Sequence, residues 1–180
     1  MRQGVAIRTA STLDQDAILA VVRNAFSRGG RDGQEEVDIV LSTWRLEAAL
    51  DGLELVAVDG DLVVGHVLGA RGDLGGRKVV AVAPLAVEPS YQGRGIGSAL
   101  MIELLRRAEA AGYPLVALLG NPAYYGRFDF EPSGPLNIFY PPVGVGDPHF
   151  QVRRLSAFDQ SYNGQFTYCW EADDAVSIEG

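Results

Sequence analysis

The sequence predicts an α/β domain. Apolar, β-branched runs of strand length alternate with segments whose apolar residues recur every three to four positions. Glycine, proline and aspartate stand at the boundaries between them. With 180 residues, 47% of them hydrophobic and 21% charged, the chain can build a sizeable core and is neither disordered nor a coiled coil.

The elements follow in order. Residues 5–8 read as a short strand. Leu13, Ala17, Val21 and Ala25 then fall on one helical face, four residues apart. Three glycines within residues 28–33 break that pattern into a flexible loop. A second helix is expected over 34–50, with Val37, Val40, Leu41, Trp44 and Ala48 as its buried stripe. Strands at 53–58 and 62–68 flank Asp59-Gly60-Asp61, a turn suited to a hairpin. A polar, glycine-rich linker at 71–77 leads into residues 78–87, a continuous apolar run that reads as a strand buried on both faces. Pro84 lies inside that run, where it donates no ladder hydrogen bond and so marks a bulge or a local loss of pairing. From Gly95 a helix carries Ile96, Leu100, Leu104 and Ala108 as one stripe and stops at Gly112-Tyr113-Pro114. A buried strand at 115–119, a short helical turn after Gly120-Asn121-Pro122, a proline-rich connection and two closing strands at 150–155 and 164–170 complete the order. This gives about seven strands and four helices in a single domain over 1–180, with its core at about 5–170 and an acidic, frayed tail at 171–180.

Composition narrows the function. Fifteen Lys and Arg against 23 Asp and Glu give a formal charge of -8, leaving no basic excess to neutralise nucleic-acid phosphates. An acidic surface instead favours cationic substrates such as amines. The single cysteine, Cys169, allows no internal disulfide, and with only two histidines, His66 and His149, no metal site is expected. The first five residues lack a leader's apolar run, and no apolar stretch reaches the roughly 20 residues that a membrane-spanning helix needs. The expected location is the cytoplasm, without membrane or nucleic-acid partners.

The informative segment is Gln92-Gly93-Arg94-Gly95-Ile96-Gly97-Ser98, between a buried strand and an amphipathic helix. A helix N-terminus carries unpaired N–H groups and about half a positive charge, so glycines there let an anion approach the backbone. A pyrophosphate is the natural guest. The alternative is a glycine turn that merely allows close packing of strand on helix. A dinucleotide fingerprint fails because Ser98 occupies its last glycine place and no acidic ribose partner lies within 115–119. A P-loop fails because no lysine follows the glycines. What remains is a Gln-x-x-Gly-x-Gly form, Gln92, Gly95 and Gly97, preceded by Leu85-Ala86-Val87-Glu88-Pro89.

This resembles the acyl-CoA-binding motif of the GCN5-related N-acetyltransferase (GNAT) superfamily, and the order of elements over 5–170 matches it as well. Asn121-Pro122-Ala123-Tyr124-Tyr125-Gly126-Arg127-Phe128-Asp129-Phe130 is similar to the superfamily's later tyrosine-containing helix, with Asp129 where glycine is usual. The resemblance implies a mixed, mostly antiparallel sheet flanked by four helices and splayed at the cofactor site. It implies that the backbone of Leu85, Ala86 and Val87 pairs with the pantetheine arm. Gln92, Gly93, Arg94, Gly95, Ile96, Gly97 and Ser98 would hold the pyrophosphate, with Asn121 also at the cofactor.

The implied function is acyl-CoA-dependent N-acyl transfer, acetyl from acetyl-CoA to a primary amine, by direct attack and without a metal. A small-molecule amine or a protein amino group would be the acceptor, and a homodimer is compatible with the sequence. Such a reaction needs a donor for the tetrahedral oxyanion, a way to deprotonate the ammonium and an acid for the leaving thiolate. The resemblance places Tyr125 as that acid; the alternative is a tyrosine that only packs the cofactor. For the base, Glu88 lies just beyond the 79–87 strand, and Glu35, Glu36 and His66 lie on segments expected to border the acceptor site, each with a bland alternative; a water chain or an already neutral amine would also serve. A second functional reading is a catalytically weak acyl-CoA-binding or sensing module. Cys169, without a neighbouring histidine in sequence, offers little to a covalent route.

Overall fold

The computed structural model describes residues 4–171. Its sheet runs in the order β1 (Ala6–Thr9), β2 (Ala49–Asp59), β3 (Leu62–Leu74), β4 (Arg77–Val87), β5 (Leu115–Leu119), β8 (Phe150–Arg154), β6 (Glu131–Pro132). Two further strands, β7 (Ile138–Phe139) and β9 (Gly164–Tyr168), pair with each other, and β9 also pairs with the far end of β3. The β1–β2, β3–β9, β5–β8 and β6–β8 ladders are antiparallel, while β4–β5 and β7–β9 are parallel. The helices are α1 (Gln15–Phe26), α2 (Gln34–Arg45), α3 (Ile96–Ala110) and α4 (Pro122–Tyr125). This is a mixed α/β architecture on a mostly antiparallel open sheet, as expected. No described helix is long and apolar enough to cross a membrane.

The chain divides into two compact units. One takes in the chain up to Gly69 together with Ala83–Leu104, and the other Ala70–Val82 together with the chain from Leu105 onward. In the first unit, Gly65 and Gly69 of β3 let α3 lie close on the strand: a Cβ at Gly65 would meet Leu100 Cδ1 at 3.0 Å and Ile96 Cγ2 at 3.1 Å. The stripe read from the sequence for α3 is buried at all four positions, with Met101 added. The second unit is held by an aromatic cluster. Tyr140, Phe150, Phe166 and Tyr168 pack with centroids 4.8–6.1 Å apart, over Leu74, Val79, Leu115 and Val152. Such ring pairs contribute about 0.5–1.5 kcal/mol each beyond the area they bury.

Several expectations are corrected. Leu13 is 94% exposed, because it sits in a 3-10 turn ahead of α1; the buried face of α1 is Ile18, Val21 and Val22. Helix α2 ends at Arg45 rather than 50, since Glu47 turns left-handed with φ 49° and the chain enters β2 at Ala49. Leu41 is exposed, and Thr43 takes an interior place with its hydroxyl on the Ile39 carbonyl at 2.8 Å. The linker expected at 71–77 is instead the end of β3 and a tight turn through Gly75 (φ 57°) and Gly76 (φ 83°). Strand β4 runs on past Pro84 to Val87 with a cis Ala83–Pro84 bond, and its ladder with β5 lies ahead of the proline, at Val80↔Val116 and Ala81↔Ala117. The proline-rich connection holds β6 and β7, too short for a periodicity to register. Of the tail, 172–180 lie outside the described residues. Glu171 itself is packed, accepting hydrogen bonds from the Tyr140 hydroxyl and from the Tyr168 amide at 2.9 Å.

The entry to α1 is fastened by one carboxylate. Asp14 accepts from Arg8 Nη1 at 2.7 Å and Nη2 at 2.8 Å, and from the amide and hydroxyl of Ser11 at 2.7 and 3.0 Å. These donors, the Arg8 guanidinium first among them, hold its carboxyl well below the usual carboxylate range. Because the folded value is depressed, the stabilisation is complete above pH ~4 and is lost as pH falls further. Asp14→Asn is expected to cost about 1–3 kcal/mol at pH 7. Unfolding curves of the two proteins at pH 7 and pH 3 check it, the gap between them narrowing at the lower pH.

Candidate active site

The glycine loop belongs to the first unit. Strand β4 ends at Val87, a 3-10 turn spans Pro89–Tyr91, and α3 starts at Ile96. Gly93 (φ 75°) and Gly95 (φ 80°) both take the left-handed conformation, and a Cβ built on either meets nothing within 4 Å. Close packing therefore does not explain these two glycines. Backbone conformation does, since left-handed geometry costs a side-chain-bearing residue about 1–2 kcal/mol. The first intrahelical bond of α3 runs from the Ala99 amide to the Gly95 carbonyl at 3.0 Å, so by helix geometry the amides of 96, 97 and 98 have no carbonyl behind them.

The remaining predicted residues fix that turn. Gln92 donates from Nε2 to the Val87 carbonyl at 2.9 Å, tying the loop to the end of β4, and its Oε1 accepts from Arg28 of the α1–α2 loop. One carbonyl of the 85–87 stretch is thus already engaged, while the Glu88 amide bonds the Val64 carbonyl of β3 at 2.9 Å. Strands β4 and β5 pair at Val80↔Val116 and Ala81↔Ala117, and β4 continues to Val87. Arg94 folds back, its Nη2 on the Ser90 carbonyl at 2.9 Å and its guanidinium 5.0 Å from the Tyr91 ring centroid. The Tyr91 hydroxyl donates to Asp59 at 2.9 Å, which pins the 3-10 turn to the β2–β3 hairpin.

In the second unit, Tyr125 is positioned by the turn after β5. Asn121 caps α4, its Oδ1 accepting from the Ala123 amide at 2.9 Å and its carbonyl from the amides of Tyr124 and Tyr125. That carboxamide oxygen is committed to the cap, a role the sequence reading did not assign to it. The Tyr125 ring lies edge-on to Tyr124 and Phe130, with centroids at 4.9 and 5.8 Å. It passes so close to Gly120 that a Cβ there would stand 2.4 Å from Tyr125 Cε2. Burial, with a smaller contribution from Tyr124, pushes the Tyr125 hydroxyl up to about 12. Asp129 adopts the left-handed conformation (φ 62°) that glycine would take more easily, closing the turn after α4.

The four base candidates separate. Glu35 is exposed, 3.1 Å from Arg31. Glu36 holds Arg31 at 2.6 Å with one oxygen, while its Oε2 is buried without a partner. Glu88 accepts from Asn24 Nδ2 at 3.1 and 3.3 Å. His66 is 0% exposed, with Nε2 2.9 Å from Glu54 Oε1. Glu54, absent from the candidates above, lies in β2 between the buried Leu53 and Leu55, so alternation alone would have put it on the outer face.

Residues 19–130 match the family model for the acetyltransferase (GNAT) family. The chain belongs to that family. It is 32% identical over 161 residues to the uncharacterized N-acetyltransferase YhbS of Escherichia coli K12, covering 88% of this chain and 90% of YhbS. It is 30% identical over 151 residues to the uncharacterized N-acetyltransferase YjhQ of the same organism, covering 80% and 83%. Among solved structures, YhbS from E. coli in complex with CoA superposes with a TM-score of 0.83 at 30% identity, over 94% of this chain and 92% of that one. A GNAT family acetyltransferase from Brucella melitensis in complex with acetyl-CoA gives 0.75 at 28% identity, over 92% and 96%. Within the acetyltransferase family frame, the contact between Gly120 and Tyr125 is a sharp structural constraint. Gly120→Ala is expected to cost about 1–3 kcal/mol by overpacking. Removing the ring in Gly120→Ala/Tyr125→Ala should recover most of that cost, which denaturant unfolding of the single and double variants measures as non-additivity.

Proposed function

We propose that the protein is an acyl-CoA-dependent N-acyltransferase that moves acetyl from acetyl-CoA to a primary amine by direct attack. The observation that carries this reading is the left-handed, open Gly93/Gly95 turn, which leaves the first amides of α3 without partners of their own. Preorganised N–H groups at a positive helix end suit a diphosphate and need no cation. That matters in a chain with a net charge of -8. The CoA and acetyl-CoA complexes of the two structural relatives support the same ligand.

The backbone of Leu85 and Ala86 offers amide groups to the pantetheine arm, and the end of β4 supplies an N–H for the developing oxyanion. Tyr125 acts on the sulfur. With its hydroxyl at about 12, it stays protonated over the whole physiological range. A thiol titrates near 8.5, so full proton transfer from Tyr125 to the thiolate runs uphill by roughly three pH units. Its contribution is a strong hydrogen bond to the departing thiolate, and solvent delivers the proton afterwards. The ammonium loses its proton to water or arrives neutral, so the rate follows the amine's own titration.

The test is thiol release from acetyl-CoA over a panel of primary amines. The wild type is expected to turn over with at least one amine, at a rate that rises with pH and does not fall before about pH 11. Tyr125→Phe should lower kcat by about 10–100-fold while leaving coenzyme A affinity unchanged. Tight coenzyme A binding with no release from any amine would favour the binding-module reading instead.

A further inference from the structure

A second polar site lies in the first unit, made by residues that the glycine loop does not include. A cavity of about 330 Å³ opens where the β1–α1 turn, the end of α2 and the start of β2 meet. Ser11, Thr12 and Gln15 line one side, Trp44 and Glu47 another, and Glu54 also lines it. Its volume is at the lower end of small-molecule pockets. No lysine, arginine or histidine is among the lining residues, and two of them are carboxylates.

Glu54 is held by two ring nitrogens. Trp44 Nε1 donates to its Oε1 at 3.0 Å and Oε2 at 3.2 Å, and His66 Nε2 lies 2.9 Å from Oε1. His66 is wholly buried, and its Nδ1 has no hydrogen-bond partner. An indole and an imidazole are thus spent on orienting one carboxylate at a cavity wall. Apolar residues in those three places would avoid the desolvation of a charge and a buried ring nitrogen. A carboxylate has about four acceptor sites, and the two donors leave part of that capacity open. Fixed acceptors beside an aromatic ring and Ile18, with no lysine, arginine or histidine in the cavity wall, suit a ligand with a cationic N–H head and a short apolar body.

We propose that this cavity is a binding site for a small organic monocation, amidinium or primary ammonium in type, anchored on Glu54. The site does not depend on the acetyltransferase reading, because none of residues 83–98 lines it.

The probe is benzamidinium, which pairs with a carboxylate through two N–H donors and is not an amine acceptor for acetyl transfer. Its neutral isostere benzamide is the control. Titration calorimetry is run on the full chain with coenzyme A present in excess, so that the donor site is filled where it exists. Wild type is expected to bind benzamidinium with Kd of about 0.1–1 mM and benzamide at least tenfold more weakly. Glu54→Gln should weaken benzamidinium at least tenfold. Ala49→Met, which fills the cavity from its wall and leaves the Trp44–Glu54–His66 contacts in place, should do the same even if Glu54→Gln fails to fold. No saturable binding below about 10 mM, equal binding of probe and isostere, or undiminished binding in Ala49→Met overturns the proposal.

Discussion

The start of α3 constrains everything that concerns the donor side of this protein. Two left-handed glycines turn the chain out of β4 so that a helix begins with its amide end free of capping carbonyls. A side chain at either position would add strain worth about 1–2 kcal/mol, although there is room for it. The sequence is therefore using conformational freedom, not smallness, at this place. Gln92 then ties the turn to β4 and to the α1–α2 loop, and Tyr91 ties it to the β2–β3 hairpin. A turn fastened at three points keeps its amides aimed, so little would be lost on ordering under the proposed anion binding.

The same logic of fixed donors and acceptors recurs in the second unit and at Glu54. Asn121 caps α4 so that Tyr125 projects from a one-turn helix, and Gly120 removes the atom that would collide with its ring. Burial then keeps the hydroxyl protonated, which makes Tyr125 a donor at any pH the protein meets. Its raised value limits the role we propose for it, which is to hydrogen-bond a thiolate without surrendering its proton outright. At Glu54 an indole and an imidazole do for a carboxylate what the cap does for the tyrosine.

Much of this was legible in the sequence, for identifiable reasons. Helix α3 and strand β4 were read correctly because their apolar patterns are long and unbroken, and every stripe position in α3 is buried. The glycine loop was legible because alternate glycines between a strand and a helix have few physical uses. The end of α2 is not, because Leu46, Ala48, Ala49 and Leu50 continue an apolar pattern after the helix stops, and the signal that ends it is a left-handed Glu47 that no propensity would place there. In sequence the β3–β4 turn looks like a linker, because Gly75 and Gly76 suggest flexibility when they supply positive φ for a tight hairpin. Strands β6 and β7 have two residues each, below any period. The cap role of Asn121 and the Glu54 network depend on where neighbouring strands and helices bring side chains, which one-dimensional spacing does not encode.

The central claim is that the amides of 93–98 form an anion cradle for the coenzyme A diphosphate. Backbone amide chemical shifts and hydrogen exchange, followed by NMR as coenzyme A is added, test it most directly. The account predicts the largest shifts and the strongest new protection at residues 93–98. Saturating binding that leaves those amides unmoved and exchanging at their free rates would contradict it.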